Sequence, residues 1–313
     1  PQPIGDVRQA HTRTQLLGHD LVSPLLLAPV AYQRLVHAEG ELATMRAAMA
    51  LQTGMVVSTL SSYSLEDIAQ ASDAATTEMG QGAPRWFQLY LQPHRADSLQ
   101  LIRRAEAAGY TAMVWTVDAS IKRSGFALPT GVEAVNLRGM PATQHTSPLQ
   151  GPILFGTPLA QQAPTWDDLR WLRAQTSLPL IVKGVLSASQ ALRAVELGAD
   201  ALIVSNHGGR VLDGVVSPLE VLPAITQAVG AHIPVLLDSG VRYGTDVVKA
   251  LALGASAILI GRPQLHALAT AGLLGVAHML HLLRAELELA MAHLGCATVQ
   301  EITPEVLWRS APL

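Results

Sequence analysis

One unit recurs along most of this sequence: a short apolar run, a turn, then a stretch whose apolar residues follow helical spacing. Such alternation builds parallel strands joined by crossover helices, because a tight hairpin cannot connect parallel neighbours. Eight apolar runs can be counted, at residues 25–30, 55–58, 86–91, 112–117, 180–183, 201–205, 235–238 and 257–260. Helices are predicted over 40–52, 96–108, 165–175, 188–197, 219–228 and 245–253, with a C-terminal helix near 273–294. Gly54, Gly109, Gly198 and Gly254 each follow a helical stretch, where a residue tolerant of positive φ ends a helix cheaply. Eight units suit a closed barrel. A doubly wound nucleotide-binding sheet would call for Gly-x-Gly-x-x-Gly after the first strand, and none is present. The expected fold is therefore α/β, a (β/α)8 TIM barrel forming one domain over residues 1–313, with a long loop after the fourth strand. Residues 138–164, rich in Gly, Pro, Gln and Thr, belong to that loop.

Composition agrees with a packed barrel. Apolar residues make up 49% and charged residues 14%, as expected where parallel strands are buried on both faces. A net charge of −3 without a basic run disfavours nucleic acid as a partner. Cys296 is the single cysteine, so packing must hold the fold, and a reducing cytoplasm is the expected compartment. The opening residues lack the apolar run of a signal peptide, and the longest apolar segment, 269–283, contains His278 and His281 and reads as a packed helix, not a membrane span.

In barrels of this kind the chemistry sits at the C-terminal ends of the strands. That rule selects Gln88, Tyr90, Thr116, Asp118, Lys183, Ser205, Asn206, His207, Asp238 and Arg262. Ser205-Asn206-His207-Gly208-Gly209-Arg210 places an imidazole and a guanidinium three residues apart on a glycine-permissive turn. The imidazole can take a proton near neutral pH, and the guanidinium can grip a carboxylate through two parallel hydrogen bonds. A lone histidine in such a loop would more often be merely solvated; its company here argues for chemistry. Lys183 closes a strand, so its charge points into the barrel mouth and calls for an anionic partner, although read alone it could equally snorkel to the rim. Asp238-Ser239-Gly240-Val241-Arg242 and Gly261-Arg262 follow the seventh and eighth strands, where barrels commonly bind phosphate through backbone N–H groups. Each could be an ordinary turn, but the pair points to a phosphate-bearing cofactor.

With these segments in view, the sequence resembles the FMN-dependent (S)-2-hydroxy-acid oxidases and dehydrogenases, which include glycolate and lactate oxidases, mandelate dehydrogenase and flavocytochrome-type lactate dehydrogenase. The likeness spans residues 17–304 and continues through Ala28-Pro29-Val30-Ala31, His37-Ala38-Glu39-Gly40-Glu41, Ser58-Thr59-Leu60, the run from Trp86 to Tyr90, and Thr116-Val117-Asp118. It implies FMN as cofactor, with Pro29, Val30, Ala31, Ser58, Gln88 and Thr116 lining the flavin ring. Lys183 would sit by flavin N1 and the C2 carbonyl, and Ser205 would touch the cofactor. Asp238, Ser239, Gly240, Arg242, Gly261 and Arg262 would hold the ribityl phosphate. The resemblance further implies that His207 takes the substrate α-proton while two electrons pass to flavin N5, as a carbanion pair or as a hydride. Asp118 would steady the imidazolium, and Tyr90 and Arg210 would hold the substrate. The reduced flavin would be reoxidised by oxygen or by a quinone or carrier, in a homo-oligomer, tetrameric by the same resemblance.

Two departures from the family pattern stand out. The family has an N-terminal segment with a substrate-binding tyrosine, whereas no tyrosine precedes Tyr32 here, so the segment is expected to have been removed or to be dispensable. After Asp118 the family continues through a longer stretch with a second substrate arginine; here Ala119-Ser120-Ile121-Lys122-Arg123-Ser124-Gly125-Phe126 is shorter, and Arg123 either fills that place or faces solvent. Small Ala31, Tyr32, aliphatic Leu60 and the loop after Arg138 would shape the side-chain pocket, leaving lactate, longer aliphatic and mandelate-like acids open. Two competing readings are an FMN-binding barrel with non-redox isomerase activity, and an impaired homologue that binds flavin but has lost substrate capture. Reduction of the flavin by a hydroxy acid would separate both from the leading one.

Overall fold

The computed structural model describes residues 4–120, 127–141 and 154–308. A short antiparallel hairpin comes first, β1 (Thr14–Leu16) and β2 (His19–Leu21). Eight parallel strands then alternate with helices: β3 (Leu25–Leu27), α1 (Gly40–Ala50), β4 (Gly54–Ser58), α2 (Leu65–Met79), β5 (Arg85–Leu89), α3 (Arg95–Ala107) and β6 (Met113–Thr116). After a long connection follow α4 (Trp166–Gln175), β7 (Leu180–Val185), α5 (Ala188–Glu196), β8 (Ala201–Val204), α6 (Pro218–Val229), β9 (Val235–Leu237), α7 (Gly244–Ala252), β10 (Ala257–Ile260) and α8 (Arg262–Leu294). The strands β3 to β10 close in sequence order, with β10 bonded back to β3. The expected (β/α)8 barrel is the fold observed; of the long stretch after its fourth strand, residues 121–126 and 142–153 lie outside the described residues.

The core has two parts, set by the two-residue period of a strand. Side chains pointing inward, among them Leu26, Val56, Trp86, Val114, Ile181, Ile203, Leu236 and Leu259, fill the barrel. Leu16 and Leu21 of the hairpin join that cluster and close the end at which β3 begins. Side chains pointing outward, such as Leu27, Val57, Phe87 and Val182, pack beneath the helices. Both faces of each strand are apolar, which is why the strands read as continuous apolar runs.

The hairpin and α2 carried no clear sequence signal. Leu17 (φ 47°) and Gly18 (φ 81°) form the hairpin turn, and a leucine in the left-handed region departs from the usual Asn-Gly pattern. Half of the inner face of α2 is alanine (Ala69, Ala71 and Ala75), a weak apolar stripe, although Ser64 caps its start by accepting from Asp67 N at 3.0 Å. Several predicted bounds also change. The first strand ends at Leu27; Ala28 N still donates to the Ile260 carbonyl (2.9 Å), and Pro29 to Ala31 then line the barrel mouth. Gly54 does not end a helix: it opens β4, and a Cβ there would fall 2.9 Å from Leu26 Cδ2. The left-handed residue after α1 is Gln52 (φ 50°). The span Arg262–Leu294 is two helices joined across a break at Ala271 and Gly272, where His37 occupies the space a Gly272 side chain would need; the second is the helix expected near 273–294, and the first, from Arg262, is an addition to it. By length and composition α8 could cross a membrane; within the fold its stripe of Val276, Leu280, Leu283 and Leu287 is buried, while His278 and His281 are exposed.

Candidate active site

The same two-residue period that fills the barrel builds the site above it. Continuing inward-facing positions toward the C-terminal strand ends, Trp86 leads to Gln88 and Tyr90, Val114 to Thr116 and Asp118, and Ile203 to Ser205 and His207. Ile181 likewise leads to Lys183, Leu236 to Asp238 and Val56 to Ser58. Apolar layers thus give way to one polar layer, then to the residues at the mouth. Above it opens a cavity lined by the C-terminal ends of the strands, the place where barrels of this kind hold small ligands.

His207 lies on its wall, with Nδ1 2.9 Å from Asp118 Oδ1. A carboxylate facing Nδ1 accepts the proton carried there and leaves the Nε2 lone pair free, so the pair is set up as an oriented base. The backbone that presents it is unusual: His207 (φ 57°), Gly208 (φ 69°) and Gly209 (φ 71°) are consecutive left-handed residues. A set of hydrogen bonds holds this turn, among them Gly209 N to the Asn206 carbonyl (3.0 Å). His207 N donates to Ser205 Oγ (3.0 Å), Gly208 N to Ser239 Oγ (2.9 Å) and Gly209 N to Asn206 Oδ1 (3.0 Å), while Arg262 Nη2 donates to the Gly208 carbonyl (3.2 Å). A strained histidine held this firmly at a cavity wall is the mark of a working residue.

At the cavity floor Lys183 is buried, its ammonium 2.9 Å from Asp238 Oδ2 and 2.7 Å from Ser205 Oγ. Burial pushes the Asp238 carboxyl up, but the Lys183 charge and hydrogen bonds from Lys183, Ser205 and Ser239 outweigh it, holding the group below the usual carboxylate range. Burial, reinforced by the Asp118 charge, pushes the Tyr90 hydroxyl well above its ordinary value, so it remains a donor. Two buried polar atoms at the floor, Gln88 Nε2 and Thr116 Oγ1, have no partner among the described residues. Nor are Arg210, Arg242 and Arg262 ion-paired to a carboxylate among those residues. Unspent polar groups around this cavity fit a ligand with a hydrogen-bonding ring edge and anionic ends.

Of the residues expected at the site, Pro29, Val30, Ala31, Ser58, Gln88 and Thr116 form one side of the cavity. Lys183, Asp238, Ser239, Gly240, Arg242, Gly261 and Arg262 form the other, with Tyr90, His207 and Arg210 at the mouth. Asp118 and Ser205 stand directly behind, the first against His207 and the second beneath Lys183. Because the Asp238 carboxylate is engaged by Lys183 and by Ser239 Oγ (2.8 Å), the cations left for an anionic group at this end are Arg242 and Arg262. Arg123 lies outside the described residues. Unforeseen in the lining are Val241, Leu259 and Leu265, and behind them buried Gln264, whose Nε2 donates to the Ala28 and Ile260 carbonyls (2.9 and 2.7 Å). A glutamine in the first turn of a helix gives no sequence sign of that role.

Residues 1–309 match the family described as FMN-dependent dehydrogenase. An L-lactate oxidase of Alicycliphilus denitrificans is 53% identical over 314 residues, covering 98% of this chain and 84% of that protein. An L-lactate oxidase of a Nostoc species is 45% identical, covering 98% of this chain and 85% of that protein. Among solved structures, mandelate oxidase with 3,3-difluoro-2-hydroxy-3-phenylpropionic acid superposes with a TM-score of 0.82 at 42% identity, covering 97% of this chain and 84% of that one.

Proposed function

The chain belongs to the FMN-dependent dehydrogenase family, and from that premise we propose that it oxidises an (S)-2-hydroxy acid to the 2-oxo acid with His207 as the base and oxygen as the final electron acceptor. FMN-dependent oxidation of a 2-hydroxy acid is its activity. The observation that carries the residue roles is the His207–Asp118 pair, 2.9 Å apart, on the wall of a cavity with Lys183, Gln88 and Thr116 at its floor.

Bound FMN supplies the two-electron acceptor. Gln88, Thr116 and Lys183 would hold its ring, and Arg242, Arg262 and the Gly240 and Gly261 backbone would hold its phosphate. His207 Nε2 takes the α-proton, and Asp118 keeps the ring in the receptive tautomer and steadies the imidazolium. Arg210 pairs with the substrate carboxylate, and the Tyr90 hydroxyl donates to the substrate. Water displaced from this cavity leaves those charges in a low-dielectric site, where they act more strongly. As substrate we propose L-lactate or a short-chain homologue: the two relatives named above with the higher identities are L-lactate oxidases, and Ala31 and Leu60 leave apolar room for a small alkyl group. A cytoplasmic homo-oligomer is part of the same proposal, consistent with the single cysteine.

The test is an anaerobic screen of the FMN-loaded protein against lactate, longer aliphatic 2-hydroxy acids, glycolate and mandelate, followed by admission of air. Bleaching by lactate and recovery with hydrogen peroxide formation are expected. Flavin that no hydroxy acid bleaches would overturn the reading, and bleaching without recovery in air would overturn the acceptor.

A further inference from the structure

Strand β7 is irregular at one place. Its pairing with β8 runs evenly through Ile181–Ala201, Val182–Leu202 and Lys183–Ile203, then skips a residue so that Val185 faces Val204. The residue left out is Gly184, at φ +106°, a conformation that side-chain-bearing residues rarely adopt. On its other side β7 meets the end of β6: Thr116 is in register with Lys183, and Val117 N donates to the Lys183 carbonyl at 2.9 Å. Asp118 follows at once, and it occupies the space beside Gly184. A Cβ built on Gly184 would stand 2.8 Å from both Cβ and Cγ of Asp118 and 3.0 Å from its backbone nitrogen. Real side chains do not approach so closely, so any side chain at 184 must displace Asp118 or the strand.

We propose that Gly184 is a positioning residue for the base: the bulge it makes in β7 is the seat of Asp118, and its missing side chain is what lets Asp118 reach His207. This rests on the reading of His207 as the base. The bulge serves two neighbours in succession. Lys183, just before it, turns into the cavity floor, and Gly184 then clears the place where the carboxylate must stand for the 2.9 Å contact with Nδ1. A glycine needed only for its backbone angle would show no such approach to one functional side chain.

The experiment is a double-mutant cycle on the FMN-loaded enzyme, combining Gly184→Ala with Asp118→Ala, read by anaerobic flavin reduction at saturating substrate and by thermal unfolding. Gly184→Ala alone should slow flavin reduction about 10²-fold, the scale of an ångström-sized misplacement, with little change in the affinity of a carboxylate inhibitor held by Arg210 and Tyr90. Once Asp118 is alanine and the carboxylate is gone, Gly184→Ala should slow reduction by far less than it does in the wild type, because the crowding that remains against Cβ and N of residue 118 no longer moves a carboxylate at His207. An equal loss in both backgrounds, or none in the first, would overturn the proposal. If Asp118→Ala by itself leaves reduction unchanged, the reading of the base fails instead, so the two failures are distinguishable. Should Gly184→Ala not hold FMN, Gly184→Ala/Asp118→Gly decides: removing the Asp118 side chain should raise melting temperature and flavin occupancy above those of Gly184→Ala, with only the strain of the backbone angle remaining, and no gain would place all of the strain in the backbone and sink the idea.

Discussion

The Lys183 ammonium and the Asp238 carboxylate face each other at 2.9 Å, both nearly excluded from solvent, with Ser205 Oγ a further 2.7 Å contact of the lysine. Neither charge has water to fall back on. Each is kept in the barrel by the other, and the geometry leaves Lys183 at the floor of the cavity. Lys183→Met is expected to do two things. Stability should fall by about 3–5 kcal/mol, the usual consequence of leaving one member of a buried pair behind. The flavin potential should also fall, and its sulfite adduct weaken, because a positive charge that favours the reduced ring has gone. Denaturant unfolding and a redox titration measure these separately; an unchanged potential in a folded variant would place the lysine away from the flavin ring.

The pair also sets a pH dependence. Burial raises the Asp238 carboxyl, but Lys183 and the surrounding hydrogen bonds bring it below the ordinary carboxylate range. A folded-state value below the unfolded one means that the carboxylate contributes stability above the ordinary range and loses that contribution as pH falls through its folded value. Stability attributable to this pair should therefore hold from neutral pH down to the carboxylate range and decline on further acidification. Lys183→Met/Asp238→Leu, which removes both charges, should show a shallower acid limb than the wild type. Equal acid slopes would mean that other carboxylates govern acid unfolding.

His207→Asn is the cleanest removal of the base, because asparagine tolerates the left-handed backbone that His207 adopts at φ 57°. The turn should survive, with Gly208 N still bonded to Ser239 and Arg262 still reaching the Gly208 carbonyl. FMN should be retained and flavin reduction should slow by about 10²–10⁴-fold, the usual contribution of a general base. Rapid-mixing measurement of the reductive half-reaction under anaerobic conditions gives the number, and reduction within a few-fold of wild type would refute the role.

How far the sequence carried these conclusions follows from what each signal depends on. Barrel strands were legible because burial on both faces makes them apolar throughout, and the polar strand ends stood out against that background: Ser58, Gln88, Thr116, Lys183, Ser205 and Asp238 are buried polar exceptions there. The hairpin carrying Leu16 and Leu21 was not legible, since three-residue strands and a Leu-Gly turn carry almost no local preference. Helix α2 escaped because alanines make a poor stripe. Gln264 and the clearance between Gly184 and Asp118 depend on contacts between distant elements, which no local pattern encodes.

The substrate carboxylate gives the last prediction. Arg210 lines the cavity mouth without a carboxylate partner among the described residues, and its charge is felt by Tyr90. A guanidinium three residues beyond the base can hold one end of a 2-hydroxy acid while Nε2 of His207 reaches the α-carbon proton at the other. Arg210→Met should therefore weaken binding of a carboxylate inhibitor by about 1.5–3 kcal/mol, the range for a lost charged hydrogen bond, and leave the neutral amide of the same inhibitor unaffected. Arg123→Met tests whether a second cation shares the work: if Arg123 binds the carboxylate, it should reproduce the acid-selective loss, and if it faces solvent, both affinity and reduction rate should stay at wild-type values. Titrating each variant with acid and amide, and following the flavin spectrum, separates the outcomes. An equal loss for acid and amide in Arg210→Met would show that the cavity itself had changed shape, and would remove Arg210 from the carboxylate.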